Sequence, residues 1–227
     1  MSKAARVCDD VYLVGGPGVS HAMDCCVYLV DAGELVLIDA GAGRGTDRIV
    51  DNILSLGFAA EQLSTVIVTH AHIDHIGSLS ALKKLLDVRI VAHALDCPAI
   101  ESGKGVGDEH YGVQYQPCQV DVQVSGDAAS LEIGSRKFEF IHIPGHTPGS
   151  LAVLLQAGAG RVLFGQDIHG PYHPMWGGEP DKAAASLVKL RDLEADVLCE
   201  GHYGIIQLAN EVAAFIQEFI DELNGRR

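Results

Sequence analysis

The sequence predicts an α+β chain made of two layered halves, with each sheet covered by helices on its outer face. Two observations predict it. Strand-like and helix-like patterns occur in a similar order in both halves, without a short exact repeat. The strand-like runs are too apolar to leave in water, so helices with apolar stripes must cover them. Layered this way, the strand-end loops of the two halves meet along one edge, which is where chemistry is expected.

The first third reads as a β-meander of strands at 11–14, 26–30 and 34–39, with Asp31-Ala-Gly33 as the turn between the last two. A helix follows from about Thr46, because Ile49, Val50, Ile53, Leu54 and Leu56 recur at helical spacing before Gly57 ends it. Residues 65–69 form a short apolar strand. Ile76, Leu79, Leu82, Leu85 and Leu86 mark the next helix, and 88–92 the next strand. Residues 103–117 carry Gly103, Gly105, Gly107 and Gly112 with few aliphatics, which predicts a loop or lid rather than a core element. No domain boundary is visible there, so residues 1–227 are expected to form a single domain. The second half predicts strands near 119–124, 137–143, 150–155 and 161–164, a helix near 181–193 and a strand at 196–199. In the last helix Leu208, Val212, Phe215, Ile216, Phe219 and Leu223 form the stripe of an amphipathic cover for a sheet.

Composition narrows the function classes. The 227 residues are 48% hydrophobic, enough for a sizeable core, and 16 Lys+Arg against 30 Asp+Glu leave a net charge of −14. That field repels phosphate backbones and anionic head groups, so neither nucleic acid nor a membrane is expected as a partner. No apolar run approaches the roughly 18 residues that a membrane span requires. Acids at Asp9 and Asp10 arrive before any signal-peptide apolar region, so a soluble, cytoplasmic protein is expected. Six cysteines, including the adjacent Cys25 and Cys26 and no C-x-x-C spacing, suit reduced thiols.

The densest chemical signal is Thr69-His-Ala-His-Ile-Asp-His75, between a strand and a helix. Three imidazoles and a carboxylate within six residues exceed what any fold requirement demands. In a tight loop His70 and His72 can point one way while Asp74 and His75 turn to a neighbouring point, so two metals can share the segment. His146 stands in the Gly/Pro-rich turn Ile143-Pro-Gly-His-Thr-Pro-Gly-Ser150, Asp167 follows the strand ending at Phe164, and His202 lies in Glu200-Gly-His-Tyr-Gly204. A lone His or Asp after a strand is usually a cap or a hydrogen-bonding residue. Three of them at strand ends, beside the histidine-rich segment, point to a metal site.

H-A-H-I-D-H, G-H-T-P-G-S, the Asp of F-G-Q-D and G-H-Y-G, in this order, resemble the metallo-β-lactamase superfamily over most of the chain. The resemblance implies a four-layer αββα sandwich of two similar halves. It implies one metal on His70, His72 and His146, a second on Asp74, His75 and His202, and Asp167 as the bridge. Asp39, in Leu37-Ile-Asp-Ala-Gly41, resembles the superfamily's first-motif aspartate and is read as supporting a ligand rather than binding metal. The ligand set contains only nitrogen and oxygen donors and suits zinc, iron or manganese; zinc is expected first, because the superfamily most often uses it.

The implied function is a dinuclear metal-dependent hydrolase of a small-molecule substrate, in which a hydroxide bridging the ions attacks a carbonyl carbon. Asp74 is expected both to ligate and to pass a proton to the leaving group. The seven-residue pattern resembles glyoxalase II and related thioesterases, so a thioester is the first expectation. Only 25 residues follow His202 in the 227, and they read as one helix, where glyoxalase II carries a helical region that grips glutathione. A smaller or different thioester, or a lactone, is therefore weighed beside it, and outside hydrolysis a mononuclear iron persulfide dioxygenase. A homo-oligomer is an open expectation.

Of the other histidines, His93 and His142 read as structural residues within or beside strands. His169, two residues after Asp167, is a candidate for touching substrate. Tyr172, Met175 and Trp176 are candidates to wall a pocket with His110, Tyr111 and Tyr115, and Tyr203 to donate to an oxyanion.

Overall fold

The computed structural model describes residues 4–158, 160–174 and 177–225. The first half runs β1 (Ala5–Cys8), β2 (Val11–Gly15), β3 (Val27–Asp31), β4 (Leu35–Ile38), α1 (Thr46–Ser55) and β5 (Leu63–Ile67). It continues α2 (Ile73–Ile76), α3 (Leu79–Leu86), β6 (Arg89–His93), α4 (Cys97–Ser102), α5 (Asp108–Tyr111) and β7 (Val122–Val124). The second half is β8 (Ala128–Ile133), β9 (Arg136–His142), β10 (Leu151–Ala157), β11 (Gly160–Gln166), α6 (Pro180–Arg191), β12 (Val197–Glu200), β13 (Gly204–Gln207) and α7 (Ala209–Gly225).

Strands β1 to β7 form one sheet in chain order, antiparallel through β4 and parallel from β4 to β7. The other sheet has the order β13-β12-β11-β10-β9-β8 and is antiparallel except for the β11–β12 pair. The two-residue alternation of a strand sorts the core into three layers. Tyr28 and Val30 of β3 face Phe138, Phe140, Val153 and Phe164 of the second sheet. Their neighbours Val27 and Leu29 turn outward onto Ile49, Ile53, Ile76, Leu79 and Leu82 of the first-half helices. Leu154, Leu163 and Leu198 turn outward onto Leu187 and Leu190 of α6 and Val212, Ile216 and Phe219 of α7. The result is the expected four-layer αββα sandwich, with both helix layers recruited by outward-facing apolar rows.

Several local expectations change. The histidine-rich segment does not run from a strand end at Thr69 to a helix at Ile76: β5 stops at Ile67, and Ile73–Ile76 is itself a helical turn carrying Asp74 and His75. The segment 103–117 is not free of core residues. Val106 and Tyr115 are buried in the first-half core, and the Arg44 guanidinium donates to the Gly112 carbonyl at 2.7 Å. Strands β1, β8 and β13 and helix α4 were not anticipated. Among the described residues, no helix is long and apolar enough to cross a membrane.

Candidate metal centre

Each candidate residue sits just beyond the end of a strand, all along one edge of the sandwich. Asp39 follows β4, residues 70–75 follow β5, His146 follows β9, Asp167 follows β11 and His202 follows β12. Two backbone hydrogen bonds, Leu151 N to Thr69 O at 2.8 Å and Cys26 N to Gly201 O at 2.6 Å, tie the loops of the two halves across this edge.

The structure brings all seven predicted residues together. His70, His72 and His146 offer nitrogens within 4.8 Å of one another, as do the donor atoms of Asp74, His75 and His202. His70 Nε2 and His72 Nδ1 are 3.1 Å apart. His202 Nε2 lies 3.2 Å from Asp74 Oδ2. Asp167 reaches both groups: Oδ2 is 3.4 Å from His146 Nε2 and 3.3 Å from His202 Nε2, and Oδ1 is 3.2 Å from His75 Nε2.

The residues behind these side chains select which nitrogen faces the gap. His75 Nδ1 donates to Asp39 Oδ2 at 2.7 Å, and Thr69 gives its backbone N–H and its hydroxyl to the same carboxylate. His146 Nδ1 donates to the Pro171 carbonyl at 3.1 Å. Both rings therefore turn Nε2 inward, as second-partner hydrogen bonding does for ligand histidines. Asp39 thus holds His75 from the side away from Asp167.

A cation fits this gap. His75 Nε2, His146 Nε2 and Asp167 Oδ1 are buried without a hydrogen-bond partner, which is costly unless something else satisfies them. Burial, then the neighbouring His75 and His146, hold His70 well below its ordinary pKa, and burial with His146 lowers His72 to about 4. Burial works to raise Asp167, but His75, His146 and His202 outweigh it and hold the carboxyl well below its usual range. His75 and His202 shift the other way: burial works to lower them, but the acidic groups around them outweigh it, and His202 rises to about 10. Imidazoles and carboxylates converging on one point form the donor set of a hard or borderline divalent ion.

A cavity of about 320 Å³ opens onto the cluster, lined by His72, Asp74, His146, Asp167 and His202 of the ligand candidates and by Ile73, Val106, Gly107, His110, Tyr111, His169, Gly170 and Pro171. Of the expected wall residues, His110 and Tyr111 line it. Tyr115 is in the core instead, and Tyr172 is buried with its hydroxyl on the Ile168 carbonyl. Trp176 and Met175 lie outside the described residues. Tyr203 does not line the cavity: it is 61% exposed and its ring packs against His169 and against Phe215 and Phe219 of α7. His93 and His142 stack on each other with centroids 4.1 Å apart, away from the cluster. Two larger concavities, about 470 and 480 Å³ beside Arg44 and Lys84, contain none of the seven residues.

Two residues of consequence escaped the sequence reading. Asp96 stands at the start of α4 but does not cap it. Its buried carboxylate accepts instead from Ala71 N at 2.9 Å, Gly149 N at 2.7 Å and Thr147 Oγ1 at 2.7 Å. It clamps the loop of His70 and His72 to the loop of His146. Asp96→Ala leaves the buried Ala71 and Gly149 N–H groups unpaired and the Thr147 hydroxyl with Ser150 alone, and we expect a loss of about 3–5 kcal/mol, read as a lower thermal midpoint by circular dichroism. An unchanged midpoint would refute the clamp. Glu200 is the second residue, completely buried under the His202 turn.

Gly201 is required by close approach rather than by its backbone angles. A Cβ there would lie 2.3 Å from Asp167 Oδ1 and 3.2 Å from His75 Cε1. Gly201→Ala is expected to weaken metal binding by about 10–100-fold, the scale of disturbing a ligand's support. Competition with a chromophoric chelator measures this, and wild-type affinity would contradict the prediction.

Comparison with known proteins agrees with this geometry. The chain is 27% identical over 233 residues to the probable metallo-hydrolase YflN of Bacillus subtilis, covering 85% of this chain and 83% of that protein. It is 26% identical over 184 residues to a hydroxyacylglutathione hydrolase of Pseudomonas putida, covering 79% of this chain and 58% of that one. The crystal structure of BJP-1, a subclass B3 metallo-β-lactamase of Bradyrhizobium japonicum, superposes with a TM-score of 0.83 at 22% identity, over 99% of this chain and 93% of that one. That likeness is one of fold. The model of the metallo-beta-lactamase superfamily matches residues 23–202, a span that takes in all seven clustered residues, and the chain belongs to that superfamily.

Proposed function

We propose that the chain is a dinuclear metal-dependent hydrolase that cleaves a small thioester, with zinc as the preferred ion. The observation that carries this reading is the pair of three-residue donor groups joined by Asp167. One ion would be held by His70, His72 and His146, the other by Asp74, His75 and His202, with Asp167 shared between them. Two ions so held supply Lewis acidity and a water acidified toward neutrality. The similarity to hydroxyacylglutathione hydrolases supports a thioester among carbonyl substrates.

The chain's own groups do the rest. Asp39 and the Pro171 carbonyl keep His75 and His146 in the tautomer with a free Nε2. Ile73, Val106 and Pro171 give the cavity an apolar wall that excludes water from the acyl group. The Asp74 carboxyl faces the same cavity. Burial works against its ionisation, but His75 and His202 hold it below its ordinary pKa. As a carboxylate facing the cavity, it is the group available to take a proton from the attacking water and pass it to the departing thiolate.

The test is a panel of thioesters and lactones assayed with metal-reconstituted protein, with Asp167→Ala as the blank. Faster, Asp167-dependent thioester cleavage supports the reading, and selective lactone opening overturns the thioester. Silence on both, with oxygen uptake on a persulfide and one iron per chain, overturns hydrolysis.

A further inference from the structure

Glu200 closes β12 with a completely buried side chain, and neither three-residue donor group includes it. A buried carboxylate is tolerated only when its oxygens are satisfied, and here both are. Oε2 accepts from His202 N at 2.6 Å and Tyr203 N at 2.8 Å. Oε1 accepts from His169 Nδ1 at 2.9 Å and His169 N at 3.5 Å. Although Asp167, His169 and Glu200 lie close enough to suggest a third cation group, oxygens already carrying N–H donors have little left for a cation. Glu200 therefore acts on His169.

The His169 imidazole is fixed by this contact and lines the cavity beside Asp74, Tyr111 and Pro171, with its side chain 22% exposed. Its ring lies 5.1 Å from that of His202 and 5.2 Å from that of Tyr203. With Nδ1–H given to the carboxylate, Nε2 on the far edge of the ring is the nitrogen left for a bound molecule, and it is a hydrogen-bond acceptor. Gly170 and Pro171, which follow His169 in the chain and also line the cavity, offer no polar side chain.

We propose that His169 is a specificity-determining residue that accepts a hydrogen bond from the substrate, and that Glu200 is the positioning residue that sets its tautomer. The preferred substrates then carry an N–H or O–H donor close to the scissile carbonyl. Substrates without the donor leave Nε2 desolvated and unpaired, a difference of about tenfold for one neutral hydrogen bond. This inference rests on the hydrolase reading.

The experiment uses the metal-loaded full chain and matched thioesters of one thiol: 2-hydroxypropionyl against propionyl, and N-acetylglycyl against pentanoyl. In the wild type, kcat/KM favours the donor-bearing member of each pair by about tenfold. In His169→Phe that ratio falls to near one while the metal content stays at the wild-type level. Long-range proton–nitrogen NMR of the wild type shows the His169 proton on Nδ1, and Glu200→Gln moves it to Nε2. Active wild-type protein whose ratio is unaffected by His169→Phe, loss of metal in that variant, or a wild-type proton on Nε2 overturns the inference and leaves the hydrolase reading standing. Wild-type protein inert on all four thioesters overturns the inference together with the thioester reading.

Discussion

Asp167→Ala is expected to lose metal and turnover together. Asp167 is the side chain that spans the two donor groups, reaching His146 and His202 through Oδ2 and His75 through Oδ1. Its removal leaves those three imidazoles without the carboxylate that joins them. Bound metal measured after gel filtration should fall from two ions per chain to one or fewer. Hydrolysis should fall by more than the roughly 10–100-fold that losing a mere supporting contact costs. The fold should persist, because Asp167 belongs to none of the three apolar layers, and far-ultraviolet circular dichroism should change little. Full activity in this variant would refute the dinuclear model.

The sequence reading reached the ligand candidates because they combine two features visible in one dimension: donor side chains, and a position immediately after an apolar strand. What it missed had neither. Strands β1, β8 and β13 are all sheet edges. One side of an edge strand faces solvent or loops, so its residues need not form an apolar run; Ala128–Ile133 alternates exposed and half-buried positions almost to its end. The turn Ile73–Ile76 is too short to show a helical period, although it carries both Asp74 and His75 of the donor group with His202. Asp96 and Glu200 were hidden for another reason. Each is a single acid at an element boundary, where capping is the ordinary role, and only the packing of the two halves shows what their oxygens meet. The aspartate of Leu37-Ile-Asp-Ala-Gly41 was legible as a support because its motif stands at a strand end; Asp96 has no such motif.

Removing the metal should destabilise the whole sandwich, not only silence it. His75 Nε2, His146 Nε2 and Asp167 Oδ1 are buried without a hydrogen-bond partner, so the chain without ions carries buried polar groups that each cost about 1–3 kcal/mol. Ions that bind only the folded chain relieve that cost and stabilise by mass action, by about 4.1 kcal/mol when free metal is a thousand times its dissociation constant. For a chain of this size each kcal/mol moves the thermal midpoint by about 2–4 °C, so a strong chelator should lower it by about 8–16 °C. The loss is felt globally because the same loops carry the ties between halves, Leu151 N to Thr69 O beside His70 and Cys26 N to Gly201 O beside His202. Asp167→Ala should already melt near the chelated midpoint and respond little to further chelation. Acid should act in the same direction, since histidine ligands must be neutral to bind metal; as pH falls, protons compete first for His75 and His202, which are raised, and last for His70 and His72, which burial holds low. Equal midpoints with and without chelator would show that the buried donors are satisfied without an ion, and the metal centre itself would then have to be abandoned.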